Sequence, residues 1–191
     1  MGRIGILGGT FDPPHIGHLI LAQEAMVKLD LEKIGFIPAA LPPHKGSSPR
    51  ASPEQRLKMV GLAISDHPRF EVLDIELRRA GPSYTVDTIL ELRKTWGAGM
   101  EVFFLMGSDS LRELPTWREP ERLVEICQVV VAARPGSTLR GKFVEGVIIL
   151  EMPPVGISST QIRERVRRGE PIRYLVPGEV ERYILQEGLY L

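Results

Sequence analysis

Several segments of the chain are continuously apolar and alternate with stretches of helical periodicity. Val102–Met106 and Val129–Ala133 are two such runs, and neither alternates apolar with polar residues. Strands of this kind are buried on both faces, which is typical of a parallel sheet covered by helices. The sequence therefore predicts an α/β fold with a doubly wound parallel sheet.

The same patterns place the individual elements. Strands are predicted at Arg3–Leu7, Lys33–Pro38, Glu101–Met106, Gln128–Ala133 and Val147–Leu150, with short extended pieces at Phe70–Leu73 and Ile75–Leu77. Helices are predicted at Ile16–Leu29, Pro53–Ser65 (after the N-cap Ser52), Thr85–Trp96, Glu119–Ile126, Ser159–Arg168 and Pro177–Glu187. We expect residues 1–191 to form a single domain, in which the helices of residues 158–191 complete the site. The Pro- and Gly-rich segment 39–53 is long enough to be a functional loop.

Composition excludes several classes of protein. The chain has 24 Lys and Arg against 24 Asp and Glu, so its formal net charge is zero. Proteins that coat nucleic acids need an excess of positive charge, so we expect no nucleic-acid partner. The sequence shows no signal-peptide pattern and no apolar run near the roughly 18 residues of a membrane span, so we expect a cytoplasmic protein without a membrane partner. A homo-oligomer stays open.

Cys127 is the only cysteine of the chain and lies beside the apolar run Val129–Val131. No internal disulfide can form. We expect a buried, inert thiol rather than a catalytic one, because no obvious base accompanies it.

The first candidate site follows the first predicted strand, where ligands of open α/β sheets bind. Gly8 and Gly9 let the backbone turn sharply and approach a ligand, and the free N–H groups of the next helix favour an anion. His15 and His18 lie on the first turn of that helix, and Gly17 leaves room between them. Two imidazoles there can donate hydrogen bonds to phosphate oxygens.

Other interpretations of this segment are a metal site and two structural histidines. A metal site lacks a third ligand at a suitable spacing. Other nucleotide motifs are absent or fail. No Gly-x-Gly-x-x-Gly occurs, and the Gly-x-x-x-x-Gly-Lys at residues 136–142 has Phe143 where a P-loop has Ser or Thr, with a strand rather than a helix expected after it.

A second candidate anion site lies at residues 156–163. Ser158, Ser159 and Thr160 stand at a predicted helix start, where capping alone needs one hydroxyl. The surplus hydroxyls and Arg163 suit a second set of phosphate oxygens. Helix capping alone is the other interpretation.

Together the segments Gly8–His18 and Ile157–Arg163 resemble the paired signatures of the nucleotidyltransferase superfamily with the His-x-Gly-His motif. The segments Pro43–Lys45, Ser83–Thr88, Gly107–Asp109 and Leu114–Trp117 are similar to those of the nicotinate-nucleotide adenylyltransferases within it. The resemblance covers essentially the whole chain. It implies a Rossmann-like parallel sheet of the His-x-Gly-His nucleotidyltransferase type with a small C-terminal helical portion.

The resemblance also implies a reaction. ATP and nicotinate mononucleotide would give deamido-NAD and pyrophosphate, a step of NAD biosynthesis. Mg²⁺ would be the cofactor, carried by the ATP phosphates, with no metal ligands from the protein. A phosphate monoester is already an anionic nucleophile, so alignment and charge neutralisation can supply the catalysis.

Site residues follow from the resemblance by position. The implied ATP-binding residues are Gly8, Gly9, Thr10, Phe11, His15, His18, Gly107, Asp109, Ile157, Ser158, Ser159, Thr160 and Arg163. The implied mononucleotide-binding residues are Gly9, Thr10, His44, Lys45, Thr85, Trp117 and Arg134. The implied catalytic residues are His15, His18, Lys45 and Arg163.

Three of these residues have specific implied roles and simpler alternatives. Asp109 would accept a hydrogen bond from the adenosine ribose, or be a turn residue. The pyridine ring would stack on Trp117, with its carboxylate on backbone N–H groups near Thr85 and Trp117, unless Trp117 is a core residue. Lys45 would lie over the phosphates, or be a solvated loop lysine.

Rival functions stay open at this point. The acceptor could be nicotinamide mononucleotide, pantetheine phosphate or a cytidylyltransferase substrate. A non-catalytic nucleotide-binding protein is a second class. An RNA-binding fragment related to class I aminoacyl-tRNA synthetases is a third, and the neutral chain offers no basic RNA face for it.

Overall fold

The computed structural model describes residues 2–42, 49–97, 99–133 and 142–191. Six strands form one sheet in the order β3-β2-β1-β4-β5-β6, and every neighbouring pair is parallel. The strands are β1 Arg3–Gly9, β2 Lys33–Pro38, β3 Phe70–Val72, β4 Glu101–Gly107, β5 Gln128–Ala133 and β6 Ile148–Glu151. The predicted doubly wound parallel sheet is confirmed.

Helices connect the strands and follow the last one. They are α1 Ile16–Lys28, α2 Pro53–Ala63, α3 Ile75–Arg78, α4 Thr85–Trp96, α5 Ser108–Glu113, α6 Pro120–Ile126, α7 Ser159–Arg167 and α8 Gly178–Gln186. Short 3₁₀ turns lie at Leu114–Thr116 and Val144–Gly146. Helix α2 begins as predicted, because the Ser52 hydroxyl accepts a hydrogen bond from the N–H of Gln55.

Two elements differ from the sequence-based expectation. The piece Ile75–Leu77, predicted as extended, belongs to helix α3. Here Asp74 accepts the first helical N–H bonds at its carbonyl and pairs with Arg78 through its carboxylate at 2.8 Å. Helix α5 was not predicted, because its polar sequence carries no apolar stripe and only Leu111 is buried.

Strand order places the site. The chain winds outward from β1 to β3 on one side and from β4 to β6 on the other, so β1 and β4 form the switch point. Gly9 ends β1 beside Pro38, and Gly107 ends β4 beside Ala132. Ligands of open α/β sheets bind in the crevice beyond the carboxyl ends of such strands.

Two hydrophobic clusters cover the faces of the sheet. One contains residues of α1, α2, α7 and α8, including Ile162 and Ile184, and the other contains residues of α4, α5 and α6. The C-terminal helices therefore share a core with β1. Cys127 is buried in the second cluster, and burial raises the pKa of its thiol to about 12, as expected for an inert cysteine.

Within the described part of the chain, every helix is too short or too polar to cross a membrane.

Candidate active site

A cleft of about 1000 Å³ opens beyond the carboxyl ends of β1 and β4. All residues that the sequence suggested for an ATP site line it: Gly8, Gly9, Thr10, Phe11, His15, His18, Gly107, Asp109, Ile157, Ser158, Ser159, Thr160 and Arg163. The fold thus brings together two motifs that are far apart in the sequence. Their individual contacts to a ligand stay predictions.

A smaller pocket of about 180 Å³ adjoins this cleft. The two cavities share Gly8–Thr10, Phe104, Ser110 and Trp117 in their walls. Thr85, predicted for the mononucleotide, lines the smaller pocket together with Trp117. Three further predicted residues, His44, Lys45 and Arg134, lie outside the described residues.

Gly8 and Gly9 serve a different purpose from the expected sharp turn. Both belong to strand β1, and the chain turns later, at Phe11, whose φ is +51°. A Cβ atom on Gly8 would lie 3.3 Å from the Phe104 ring, and one on Gly9 would lie 3.2 Å from the Phe11 ring. The glycines therefore leave space for two aromatic rings that pack against the floor of the site.

The hydrogen bonding of His18 indicates which of its ring nitrogens carries the hydrogen. Its Nδ1 accepts a hydrogen bond from the backbone N–H of His15 at 3.1 Å, so the neutral ring carries its hydrogen on Nε2. Phe11 packs edge-on against the ring, with centroids 5.0 Å apart. His18 is thus held as an Nε2–H donor in the wall of the cleft, which suits a phosphate oxygen.

His15 stacks on His18 with ring centroids 3.7 Å apart and is buried. Burial lowers the pKa of His15 to about 4, so the ring is neutral at physiological pH. Its Nδ1 has no hydrogen-bond partner among the described residues. A Cβ on Gly17 would lie 3.0 Å from that atom, which confirms the expected need for glycine between the histidines.

The start of α1 offers fewer free donors than the sequence suggested. The N–H of Ile16 donates to the carbonyl of Leu175 at 3.0 Å, and the N–H of His18 donates to the carbonyl of His15 at 2.9 Å. The segment before α8 thus occupies part of the helix terminus. An anion here would depend more on side chains and less on backbone N–H groups than expected.

Several side chains of the second motif, residues 156–163, make hydrogen bonds within the protein that stabilise the site. Ser158 caps α7 by accepting from the N–H of Gln161 at 3.2 Å, so the capping interpretation holds for this residue. The Ser159 hydroxyl donates to the carbonyl of Pro13 at 2.8 Å, and Nη1 of Arg163 donates to the carbonyl of Asp12 at 2.8 Å. These two bonds attach α7 to the loop after β1.

Asp109 lies on the first turn of α5 at the edge of the cleft, and its side chain is 86% exposed. Its carboxylate pairs with Arg112 on the same short helix. An exposed carboxylate at this position can accept a hydrogen bond from a ribose hydroxyl. The predicted contact of Asp109 with the adenosine ribose stays a prediction.

Asp12 is a buried residue that the sequence analysis did not single out. Its carboxylate accepts from the N–H groups of Arg50 and Ala51 at 2.8 and 3.1 Å, and from the Tyr190 hydroxyl at 2.8 Å. Burial and this carboxylate raise the pKa of Tyr190. Asp12 therefore joins the loop after β1 to two distant segments, and only its place inside the motif could have indicated this.

Arg56 is a second residue that sequence reasoning missed. It is completely buried, and its guanidinium donates to the carbonyls of Thr10 at 2.8 Å, Ala40 at 3.3 Å and Ala51 at 3.3 Å. Thr10 lies in the site, while Ala40 and Ala51 lie on either side of segment 41–50. Arg56 shares the helical spacing of the buried Met59, Val60 and Ala63, and that spacing was a usable signal.

The smaller pocket has a buried acid in its wall. Glu76 accepts a hydrogen bond from Thr88 at 2.8 Å, and burial raises the pKa of its carboxyl although hydrogen bonds from Thr88 and Ser83 oppose this. The Ser83 hydroxyl oxygen accepts from the N–H groups of Ala40 and Leu41 at 2.9 and 3.2 Å. This side of the pocket is therefore linked to the chain that follows β2.

Among the residues that the structure describes, no group of three or more His, Cys, Asp or Glu side chains could hold a metal ion. The arrangement instead suits phosphate groups, because it combines imidazole, guanidinium and hydroxyl donors beside a glycine-rich strand end.

Comparisons with known proteins agree with this geometry. A family model described as cytidylyltransferase-like matches residues 6–165. A probable nicotinate-nucleotide adenylyltransferase of Geobacillus thermodenitrificans is 47% identical over 190 residues, covering 100% of this chain and 87% of the relative. One of Thermus thermophilus is 48% identical over 188 residues, covering 98% of this chain and 99% of the relative.

A solved structure shows the same fold. The Plasmodium falciparum nicotinic acid mononucleotide adenylyltransferase complexed with NaAD superposes with a TM-score of 0.81 over 100% of this chain and 98% of the other, at 19% identity. This structural similarity shows the fold, whereas the family model and the full-length relatives show the family. The chain belongs to the cytidylyltransferase-like family and, within it, to the nicotinate-nucleotide adenylyltransferases.

Proposed function

We propose that this protein transfers the adenylyl group of ATP to nicotinate mononucleotide, giving deamido-NAD and pyrophosphate. One observation carries the proposal: the large cleft, whose lining suits phosphate groups, and the smaller pocket share the wall formed by Gly8–Thr10. Two nucleotides seated in the two cavities would bring their reacting phosphates together there. The relatives carry the name of this activity.

The reaction needs little covalent chemistry from the protein. A phosphate oxygen of the mononucleotide attacks the α-phosphorus of ATP and forms the new P–O bond. The bond to the bridging oxygen between the α- and β-phosphates breaks, and its electron pair leaves with pyrophosphate. Because the attacking oxygen is already anionic, alignment of the two substrates and neutralisation of charge supply the acceleration.

The described side chains divide this work. His18 would donate from Nε2 to an oxygen near the α-phosphate, where negative charge develops. Arg163, anchored on the Asp12 carbonyl, would bind the triphosphate. Burial keeps His15 neutral, and phosphate oxygens of a bound nucleotide would favour its protonation. Lys45, His44 and Arg134 keep their predicted roles.

Mg²⁺ would enter with ATP, carried by its phosphate oxygens. When bound, it would withdraw charge from the triphosphate. The protein groups would still position the two nucleotides.

A direct assay tests the proposal. Purified protein is mixed with ATP, Mg²⁺ and one acceptor at a time: nicotinate mononucleotide, nicotinamide mononucleotide or pantetheine phosphate. We expect pyrophosphate and deamido-NAD with the first acceptor, at a higher kcat/KM than with the others. Faster turnover with another acceptor would replace the substrate assignment, and no product with any of them would support a non-catalytic nucleotide-binding protein.

The matching variant is His18→Ala. Loss of an Nε2–H donor to developing negative charge should lower kcat about 100-fold or more. Arg122→Gln, on the outer surface of α6, is the control and should keep wild-type kcat. A His18→Ala enzyme within a few-fold of wild type would place His18 outside the reacting centre.

A further inference from the structure

We propose that Arg118 determines acceptor specificity, by favouring a mononucleotide whose ring carries a carboxylate over one that carries a neutral amide. The proposal rests on the function proposed above. It concerns a side chain that lines the smaller pocket next to Trp117.

The charged side chains that line the pocket make Arg118 the candidate. Among the described residues lining it, Glu76 and Glu113 are acids and Arg118 is the single base. An acceptor with a ring carboxylate brings another negative charge to this wall. Without the Arg118 cation in this wall, the two acids would disfavour the carboxylate relative to the amide.

The structure holds the Arg118 guanidinium at the rim of the pocket. It lies over the Tyr84 ring, 4.8 Å from the ring centroid. Its Nη1 pairs with Asp87 at 3.3 Å, and its Nε lies 3.6 Å from the Glu119 carboxylate. Tyr84 and Asp87 flank Thr85, so the same contacts that hold the guanidinium place it beside the start of α4.

Backbone geometry supports this placement. Trp117 is attached to the preceding 3₁₀ turn by its N–H, which donates to the Leu114 carbonyl at 3.0 Å. Glu119 then has a φ of +47°, and Pro120 begins α6. The chain therefore turns sharply after Arg118. This turn leaves Trp117 and Arg118 on the wall that faces α4.

Donors remain for a ligand. The two ion pairs use Nη1 and Nε, and no hydrogen bond joins Nη2 to any residue that the structure describes. The Arg118 side chain is 49% exposed, so a ligand can reach it. A ring carboxylate would form an ion pair with the guanidinium and can accept two of its N–H groups, whereas a neutral amide oxygen would accept a hydrogen bond without the attraction of opposite charges.

The test is the ratio of kcat/KM for nicotinate mononucleotide to kcat/KM for nicotinamide mononucleotide. Arg118→Gln should lower this ratio about tenfold, a modest change because solvent screens a half-exposed charge. The change should come from KM for the acid, with KM for ATP unaltered. Arg118→Lys keeps the positive charge without the planar fork and should fall between wild type and Arg118→Gln.

Arg122→Gln is the matched control. Arg122 pairs with the same Glu119 carboxylate at 3.0 Å but does not line the pocket. The ratio of the two kcat/KM values in the Arg122→Gln variant should equal that of wild type. If turnover of Arg118→Gln is too slow to measure, the dissociation constants of the two mononucleotides, determined by calorimetry, give the same ratio.

The outcomes separate this inference from the proposed function. An Arg118→Gln ratio equal to wild type, by kinetics or by binding, would overturn the specificity role while wild-type activity still supports the function. An equal fall for both acceptors would also overturn it, because it would indicate a structural role. No activity of wild-type protein with either mononucleotide would reject the function itself.

Discussion

The buried imidazole of His15 makes the stability of the fold depend on pH. Its pKa is lowered from 6.5 to about 4 by burial, so the unfolded chain binds a proton at this residue more readily than the folded protein does. The stability contributed by a neutral His15 is therefore fully present above pH 6.5. It is lost as the pH falls from there toward 4.

The size of the effect follows from the two pKa values. At pH 7 the residue is mostly neutral in both states, and it lowers the free energy of unfolding by only about 0.2 kcal/mol. At pH 5 the unfolded residue is almost entirely protonated while the folded one is mostly neutral, and the cost rises to about 2 kcal/mol. His15→Asn removes the titration and keeps a residue that suits an N-cap position.

The assay is urea unfolding of wild type and His15→Asn at pH 7 and pH 5. All other titrating groups are common to both proteins, so the difference between the two pH-dependent losses isolates His15. Wild type should lose about 2 kcal/mol more than the variant. Equal losses, within ~0.5 kcal/mol, would mean that water reaches the ring and that the burial argument is wrong.

Two further predictions concern residues that shape the site. Arg56→Met leaves three buried carbonyls without their donor and should reduce the unfolding free energy by about 3–5 kcal/mol in urea titrations. A loss below ~1 kcal/mol would mean that the three hydrogen bonds from Arg56 to these carbonyls contribute little to stability. Gly17→Ala should keep or raise thermal stability, since alanine favours a helix by ~1 kcal/mol, yet its Cβ would displace the His15 ring and lower kcat about tenfold or more. Unchanged kcat in the alanine variant would show that the ring has room to shift.

Sequence patterns were sufficient for the parallel sheet. The continuously apolar runs of β4 and β5 leave no solvent face, and the helical spacing between them leaves little choice but a covered parallel sheet. Helices α3 and α5 were misassigned or missed, because each has at most six residues and buries one side chain. Local bonds such as Asp74 to Arg78 stabilise α3, and apolar periodicity does not report them.

The candidate site was predictable where motifs carry it and not where distant contacts build it. Glycine, histidine and hydroxyl residues at helix starts indicated a phosphate cleft, and those residues do line one cavity. The contacts of Arg56 and Tyr190 depend on where other segments lie in space. Neither residue has local spacing that points to Thr10 or Asp12, so only the folded chain shows these partners.

The hydrogen bond between Tyr190 and Asp12 has a consequence for the time course of folding. It joins residues 178 positions apart, and closing a chain of that length costs about 5 kcal/mol of entropy. Contacts of such high sequence separation form late, after local helices and neighbouring strands have offset part of that cost. Tryptophan fluorescence should therefore recover earlier during refolding than the ability to bind ATP. A chain still in synthesis would likewise lack the hydrogen bond from Tyr190 to Asp12 until residue 190 has left the ribosome.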